Sequence, residues 1–393
     1  MKTTDVWEDL YTIQIFNTRC CLRKTFFISD TRFKNSMFII FLFGILPAIL
    51  FFLTSYIDGS IYLPGERGLI QDYIFLSYFV FIPALFLAAM FYFPAFPKVL
   101  HTLQDVIEKQ GDSNDLKVLS KTGFEDILRK YEAIILGKST KWFKNIAVLG
   151  GFCWVILGAK SHWFAFSTYS MDIWSSQNYL YSFIVRTIYE GIVFGILFPL
   201  TLFKFIMILY TMRSICRTLI ENKAIRLRAL NPDKAGGLGR LGKYSLKLVV
   251  FLIPPLIPIL TYLFMGNVTT LLIVGVSLYI PLLIFTFFFP LSGAHDAMKN
   301  YKGLALKSLS REFNRIYDGF IDHITDQTKG RDEKIKKLAA DSDLMEKLDE
   351  LYQKAEQMPV WPFDTNTITK FLSLIGLTLF SIWFEWILNQ LIN

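Results

Sequence analysis

Residues 248–290 read LVVFLIPPLIPILTYLFMGNVTTLLIVGVSLYIPLLIFTFFFP, without a single Asp, Glu, Lys or Arg. The hydrocarbon layer of a bilayer is about 30 Å thick, and a helix rising about 1.5 Å per residue needs about 20 mainly apolar residues to cross it. The stretch therefore predicts two consecutive spans, near Leu248 to Met265 and Thr269 to Pro290. The same test, carried outward, places others near Met37 to Tyr56, Tyr73 to Phe96, Phe143 to Phe166, Ile188 to Tyr210 and Phe371 to Leu388. The expected fold class is all-α, a polytopic transmembrane helical bundle of about seven spans.

Composition agrees. The chain is 53% hydrophobic and 19% charged, with mean hydropathy +0.40, whereas a soluble domain carries about 25% charged residues. Its 38 Phe, 18 Tyr and 8 Trp suit spans whose ends place aromatic rings at headgroup level. The polar lead before Met37 argues for a retained first span rather than a cleaved secretory signal. Cys20, Cys21, Cys153 and Cys216 form no disulfide framework.

Orientation follows from the basic residues. With the amino terminus inside, segments 1–36, 97–142, 213–247 and 291–366 hold 35 of the 41 Lys and Arg, and the outer loops hold Arg67, Lys160 and Arg186. This is the positive-inside pattern, and it puts the carboxyl terminus outside after a short tail. The net charge of +8 thus needs no nucleic acid to explain it. The third span is the marginal one: Lys144 and Lys160 bracket IAVLGGFCWVILGA, short for a full crossing. A re-entrant segment is the alternative there, but losing that crossing would strand basic segments outside.

The resulting organisation is a cytoplasmic segment 1–36, a six-span region 37–290 with inner helical loops 97–142 and 213–247, cytoplasmic amphipathic helices over 291–366, and a final span with its tail, 367–393. Leu309, Phe313, Ile316, Phe320 and Ile324 recur at helical spacing, as do Ile335, Leu338, Met345, Leu348 and Tyr352, and Phe124, Ile127, Leu128, Tyr131 and Ile135. These faces predict a cytoplasmic helical layer, with a subunit interface or membrane-surface helix as alternatives.

Two strings stand out. Asn231-Pro232-Asp233-Lys234-Ala235-Gly236-Gly237-Leu238-Gly239-Arg240-Leu241-Gly242 reads as a turn that lets helices approach closely. Its glycines and flanking basic residues also leave open an anion or lipid-headgroup site on Asn231, Asp233, Lys234, Gly236, Gly237, Gly239 and Arg240. Pro359-Val360-Trp361-Pro362-Phe363-Asp364-Thr365-Asn366 ends a cytoplasmic helix at its prolines. It then caps the last span through Asp364 or Thr365, with a gating hinge as the sharper alternative. Together these strings resemble a family of uncharacterised bacterial multi-pass membrane proteins with a His-Pro-Asp-x-x-Gly-Gly-Leu loop and a Pro-x-Trp-Pro-Phe-Asp segment before the last span. Asn231 stands where such proteins often carry His. The resemblance implies an inner-membrane location and no particular activity.

Pro254, Pro255 and Pro258 should interrupt the fifth span, since each removes a backbone donor. Arg186 and Glu190 lie four apart and are expected to pair near the outer face. With Glu385 they make a candidate outer vestibule that would favour cations. No zinc or catalytic signature occurs, so no cofactor, metal or catalytic residue is expected. The favoured reading is a non-enzymatic conduit for ions or small solutes in contact with membrane lipid, as a homo-oligomer. A sensor or scaffold that recruits a cytoplasmic protein partner is the main alternative, and a lipid-headgroup enzyme a third.

Overall fold

The structure is a computed structural model, and it describes residues 32–93, 95–96, 99, 141–164, 173–221, 238–264, 270–325 and 331–392. The regular structure of these residues is helical, without a strand; an isolated bridge between Arg67 and Ile173 is the nearest thing to a sheet. Among the described residues, five helical segments are long and apolar enough to cross a membrane: Ser36–Ile57, Tyr73–Tyr92, Lys141–Trp163, Leu180–Thr218 and Ser277–Asp322. The face Phe124 to Ile135 and the residues Asn231, Asp233, Lys234, Gly236 and Gly237 lie outside the described residues.

In chain order the helices are α1 (Arg32–Ile40), α2 (Leu46–Ile57), α3 (Tyr73–Tyr92), α4 (Lys141–Trp163), α5 (Leu180–Ile192), α6 (Phe198–Glu221), α7 (Gly239–Phe251), α8 (Leu256–Phe264), α9 (Thr270–Phe288), α10 (Ser292–Thr325), α11 (Arg331–Glu356) and α12 (Thr365–Ile392). A π turn over Phe41–Ile45 joins α1 to α2, and a second over Val193–Leu197 joins α5 to α6. The marginal third span is one uninterrupted helix, α4, almost none of whose residues are buried.

Prolines explain much of this irregularity. Pro47 and Pro199 each stand two residues beyond a π turn, and the residue just before each proline donates its backbone N–H across the wide turn: Leu46 to the Phe41 carbonyl, Phe198 to that of Val193. A proline cannot donate to the carbonyl four residues back and its ring crowds that oxygen, so the helix widens ahead of it. The stranded carbonyl then needs another partner, because an unpaired one at membrane depth is costly.

Neighbouring helices supply those partners or close over the oxygen. The Tyr189 hydroxyl donates to the Phe43 carbonyl (3.4 Å), the one Pro47 leaves open. Ser245 Oγ, on α7, donates to the Phe287 carbonyl (2.6 Å) and lies 3.5 Å from that of Thr286, four residues before Pro290. Glycine backbones approach two others: a methyl added at Gly44 would sit 3.3 Å from the Phe79 oxygen beside Pro83, and one at Gly151 would sit 2.9 Å from the Gly195 oxygen beside Pro199.

The expected fifth span is two helices. α7 ends at Phe251 with tightened bonds from Leu252 to Val249 and from Ile253 to Val250, and α8 starts at Leu256, so the break falls on Pro254-Pro255 while Pro258 lies inside α8. The Tyr279 hydroxyl of α9 donates to the Leu252 carbonyl. α12 packs on both α7 and α8, across this break. One part of the sequence reading is corrected here: Gly239 and Arg240 form the first turn of α7 rather than a loop. No proline lies between Gly239 and Pro254, so nothing stops the helix from reaching back that far.

α9, a short 3-10 turn over Phe289–Leu291 and α10 run as one continuous helical rod, and α11 folds back along α10. Leu309 and Phe313 face Leu348 and Tyr352 across this hairpin. The two apolar faces read from the sequence thus cover each other in part, while Leu304, Tyr317, Ile321 and Ile324 of α10 remain exposed.

Candidate functional site

At the end of the bundle that carries the 58–72 connection, Asp72 caps α3 by accepting the Phe75 N–H on Oδ1 (3.1 Å). Its other oxygen accepts from Trp174 Nε1 (3.1 Å). Trp174, fully buried, is held in turn because its backbone N–H donates to the Arg67 carbonyl (2.9 Å). The Asp58 carboxylate accepts the Ser182 N–H (2.7 Å) and so supports the first turn of α5.

α5 then delivers Arg186 into this frame. Its Nε donates to Glu190 Oε1 (2.8 Å), its Nη1 donates to Ser175 Oγ (2.9 Å) and lies 3.7 Å from Asp72 Oδ2, and its guanidinium carbon sits 4.6 Å from the centroid of the Phe75 ring. Arg186 is 7% exposed. A buried guanidinium keeps its charge only when its donors and counter-charges are in place. Here two carboxylates answer one cation, which leaves the trio with a formal charge of minus one.

Beside this trio lies a cavity of about 1000 Å³ between α3, α4, α5 and α6. Arg67, Asp72, His162, Arg186 and Glu190 supply its polar lining; Tyr78, Trp154, Phe194 and Phe198 supply aromatic wall. The second π turn shapes it. Glu190, Phe194, Phe198 and Leu202 all line the cavity at four-residue steps, which in a regular helix would drift around the axis; the wide turn between Glu190 and Phe198 takes up that drift. Gly151 and Gly158 of α4 line the opposite side.

Of the vestibule residues expected from the sequence, Arg186 and Glu190 are together in this cavity. Glu385 lies on α12, and its side chain is outside the described residues. Asp72, His162, Trp174 and Ser175 escaped the sequence reading. Asp72 alone had a local signal, an Asp immediately before an apolar run, which is the pattern of a helix cap.

The two distinctive strings meet at the other end of the bundle. A methyl added at Gly242 would lie 2.5 Å from the Pro362 carbonyl oxygen and 2.7 Å from Phe363 Cβ, so the Pro359–Asp364 strap runs directly over α7. Trp361 stacks on His295 of α10 (ring centroids 4.0 Å, 20°), whose Nδ1 lies 2.7 Å from the Val360 carbonyl. Lys302 donates to the Glu356 and Met358 carbonyls at the end of α11. Asp364 then caps α12 by accepting the Thr367 N–H (2.9 Å) and the Thr367 hydroxyl. Those bonds hold its carboxyl below the usual carboxylate range. Phe287 and Phe371 stack below (4.2 Å, 12°).

Among the described residues no group of three or more His, Cys, Asp or Glu is placed to hold a metal ion. No family model, no curated protein and no solved structure matches the chain.

Proposed function

We propose that the protein is a conduit through which small solutes or ions pass, built on seven crossings with the amino terminus inside and the carboxyl terminus outside. Five apolar helices fit an integral membrane protein. The observation that carries the finer reading is the cavity beside Arg186 and Glu190: charged side chains set among apolar helices are expensive unless they serve a pathway or a ligand. The helix break at Pro254-Pro255 supports a moving part, since broken helices at membrane depth recur where solutes bind. On this reading the protein works without catalysis, as a homo-oligomer in a bacterial inner membrane, and belongs with the multi-pass family that its two strings resemble. Purified protein in liposomes should release a polar or ionic tracer at rates above those of empty vesicles; vesicles that stay tight to cations, anions and small neutral solutes alike would exclude a conduit.

A second reading has its own observation. The exposed Leu304, Tyr317 and Ile321 of the α10–α11 hairpin support a membrane scaffold that recruits a cytoplasmic partner. Crosslinking in cells followed by purification separates the two: a stoichiometric partner captured with tight vesicles selects the scaffold.

A further inference from the structure

We infer that the cavity takes a monovalent organic cation, an alkylammonium group, with Glu190 Oε2 as its counter-charge and Tyr78, Phe194 and Phe198 as its aromatic wall. The inference rests on reading the cavity as a solute site and adds the chemistry of the occupant.

The carboxylate oxygens divide cleanly between structure and space. Both oxygens of Asp72 are committed, to Phe75 N–H and to Trp174 and Arg186. Glu190 Oε1 holds Arg186 Nε, whereas Glu190 Oε2 faces the glycine side of α4, 3.9 Å from where a Gly158 Cβ would stand. Arg186 itself is spoken for: Nε and Nη1 are engaged and its guanidinium carbon lies near the Phe75 and Trp174 rings. Of the two guanidiniums in the lining, Arg186 is already answered by two carboxylates, and Arg67 belongs to the connection before α3 rather than to the α4–α5 side where Glu190 Oε2 stands. An arriving cation meets an oxygen with capacity to spare.

The wall favours a diffuse charge over a compact one. Tyr78 and Phe194 pack 5.4 Å apart and Phe194 and Phe198 6.1 Å apart, all lining the cavity. Ring faces attract ammonium groups through their quadrupoles, most strongly where water is excluded. A bare metal ion needs several oxygens within about 2.6 Å, and among the described residues the acidic lining of the cavity is Asp72 and Glu190. Gly158 keeps the approach to Oε2 open.

The test is binding of tetramethylammonium to the full chain in nanodiscs, read by calorimetry, with propionate and tert-butanol as the anionic and neutral probes of similar size. Tetramethylammonium should bind saturably and the other two should not. Glu190→Gln, which keeps the Oε1 acceptor for Arg186, should weaken it about ten-fold or more, the loss of one charge-assisted contact. Gly158→Leu leaves Glu190 in place and fills the approach, and should weaken it as well. Equal or stronger binding of propionate, or unchanged binding in both variants, overturns the inference. Cation binding without any vesicle flux overturns the conduit and leaves the site standing; anion flux without cation binding does the reverse.

Discussion

The Tyr279 hydroxyl donates its hydrogen bond to the Leu252 carbonyl, the oxygen that a continuous α7–α8 helix would have paired with the Leu256 N–H. That N–H instead bonds to Ile253 (2.9 Å), so the break at Pro254-Pro255 is completed from outside by α9. Tyr279→Phe leaves a buried carbonyl without its donor, at about 1–3 kcal/mol. The thermal midpoint in detergent should fall accordingly, and an unchanged midpoint would mean that the oxygen finds another partner.

Pro47 and Tyr189 should be coupled. Tyr189→Phe removes the donor to the Phe43 carbonyl, but Pro47→Ala restores a backbone donor to the same oxygen. A double-mutant cycle on unfolding free energy should therefore show a coupling of about 0.5–1.5 kcal/mol, with Tyr189→Phe close to neutral once Pro47 is gone.

Gly242→Ala should loosen the strap. The added methyl meets the Pro362 oxygen at 2.5 Å, and overpacking of this kind costs about 1–3 kcal/mol. Gly319→Ala, where nothing lies within 4 Å, should instead stabilise α10 by up to about 1 kcal/mol. Limited proteolysis near Trp361 reads the first, and helix melting the second. Equal effects from both substitutions would remove the close approach as the cause.

Removing Arg186 should hurt more than removing its whole cluster. Arg186→Ala strands Asp72 and Glu190, which costs about 3–5 kcal/mol. Adding Asp72→Asn and Glu190→Gln to Arg186→Met deletes the charges of the trio; the single amide oxygen left at position 72 keeps the α3 cap and gives up the Trp174 acceptor. That triple variant should recover part of the lost thermal midpoint.

Acid should weaken the start of α12 through Asp364. Its carboxyl lies below the ordinary value of 3.8 because Thr367 donates to it. A group depressed on folding stabilises fully above its unfolded pKa and loses that contribution as pH falls through the lower, folded value. Asp364→Asn retains a capping oxygen and should flatten the pH dependence between the unfolded and the folded value, while Asp364→Ala should lose about 1 kcal/mol at neutral pH. Identical acid profiles for the parent protein and the Asp364→Asn variant would place the titration elsewhere.

The parts of this fold legible in the sequence are those written in local chemistry. Pro254-Pro255 broke the helix where a missing donor must break it, and Arg186 and Glu190 met because four residues span one turn. Lys144 and Lys160 made the third span look short, yet α4 runs through both, since a helix needs only its own backbone to continue. What escaped notice was tertiary. Asp72 reaches Arg186 from a distant connection, and nothing local in Gly151 says that it will meet Pro199. The Gly242 and Pro362 strings were each conspicuous, but their meeting depends on how α7 and α9 come side by side.

The unbroken run from α9 through α10 has a mechanical consequence. From Phe289 to Thr325 the helix projects about 55 Å at 1.5 Å per residue, so a tilt of about 5° at its root would swing its tip by about 5 Å. The strap grips that arm near its root, Trp361 by stacking on His295 and the Met358 carbonyl by accepting from Lys302, where leverage is greatest. A weak push at the far tip would thus arrive at the strap as a small, forceful displacement, geared down next to the broken helix.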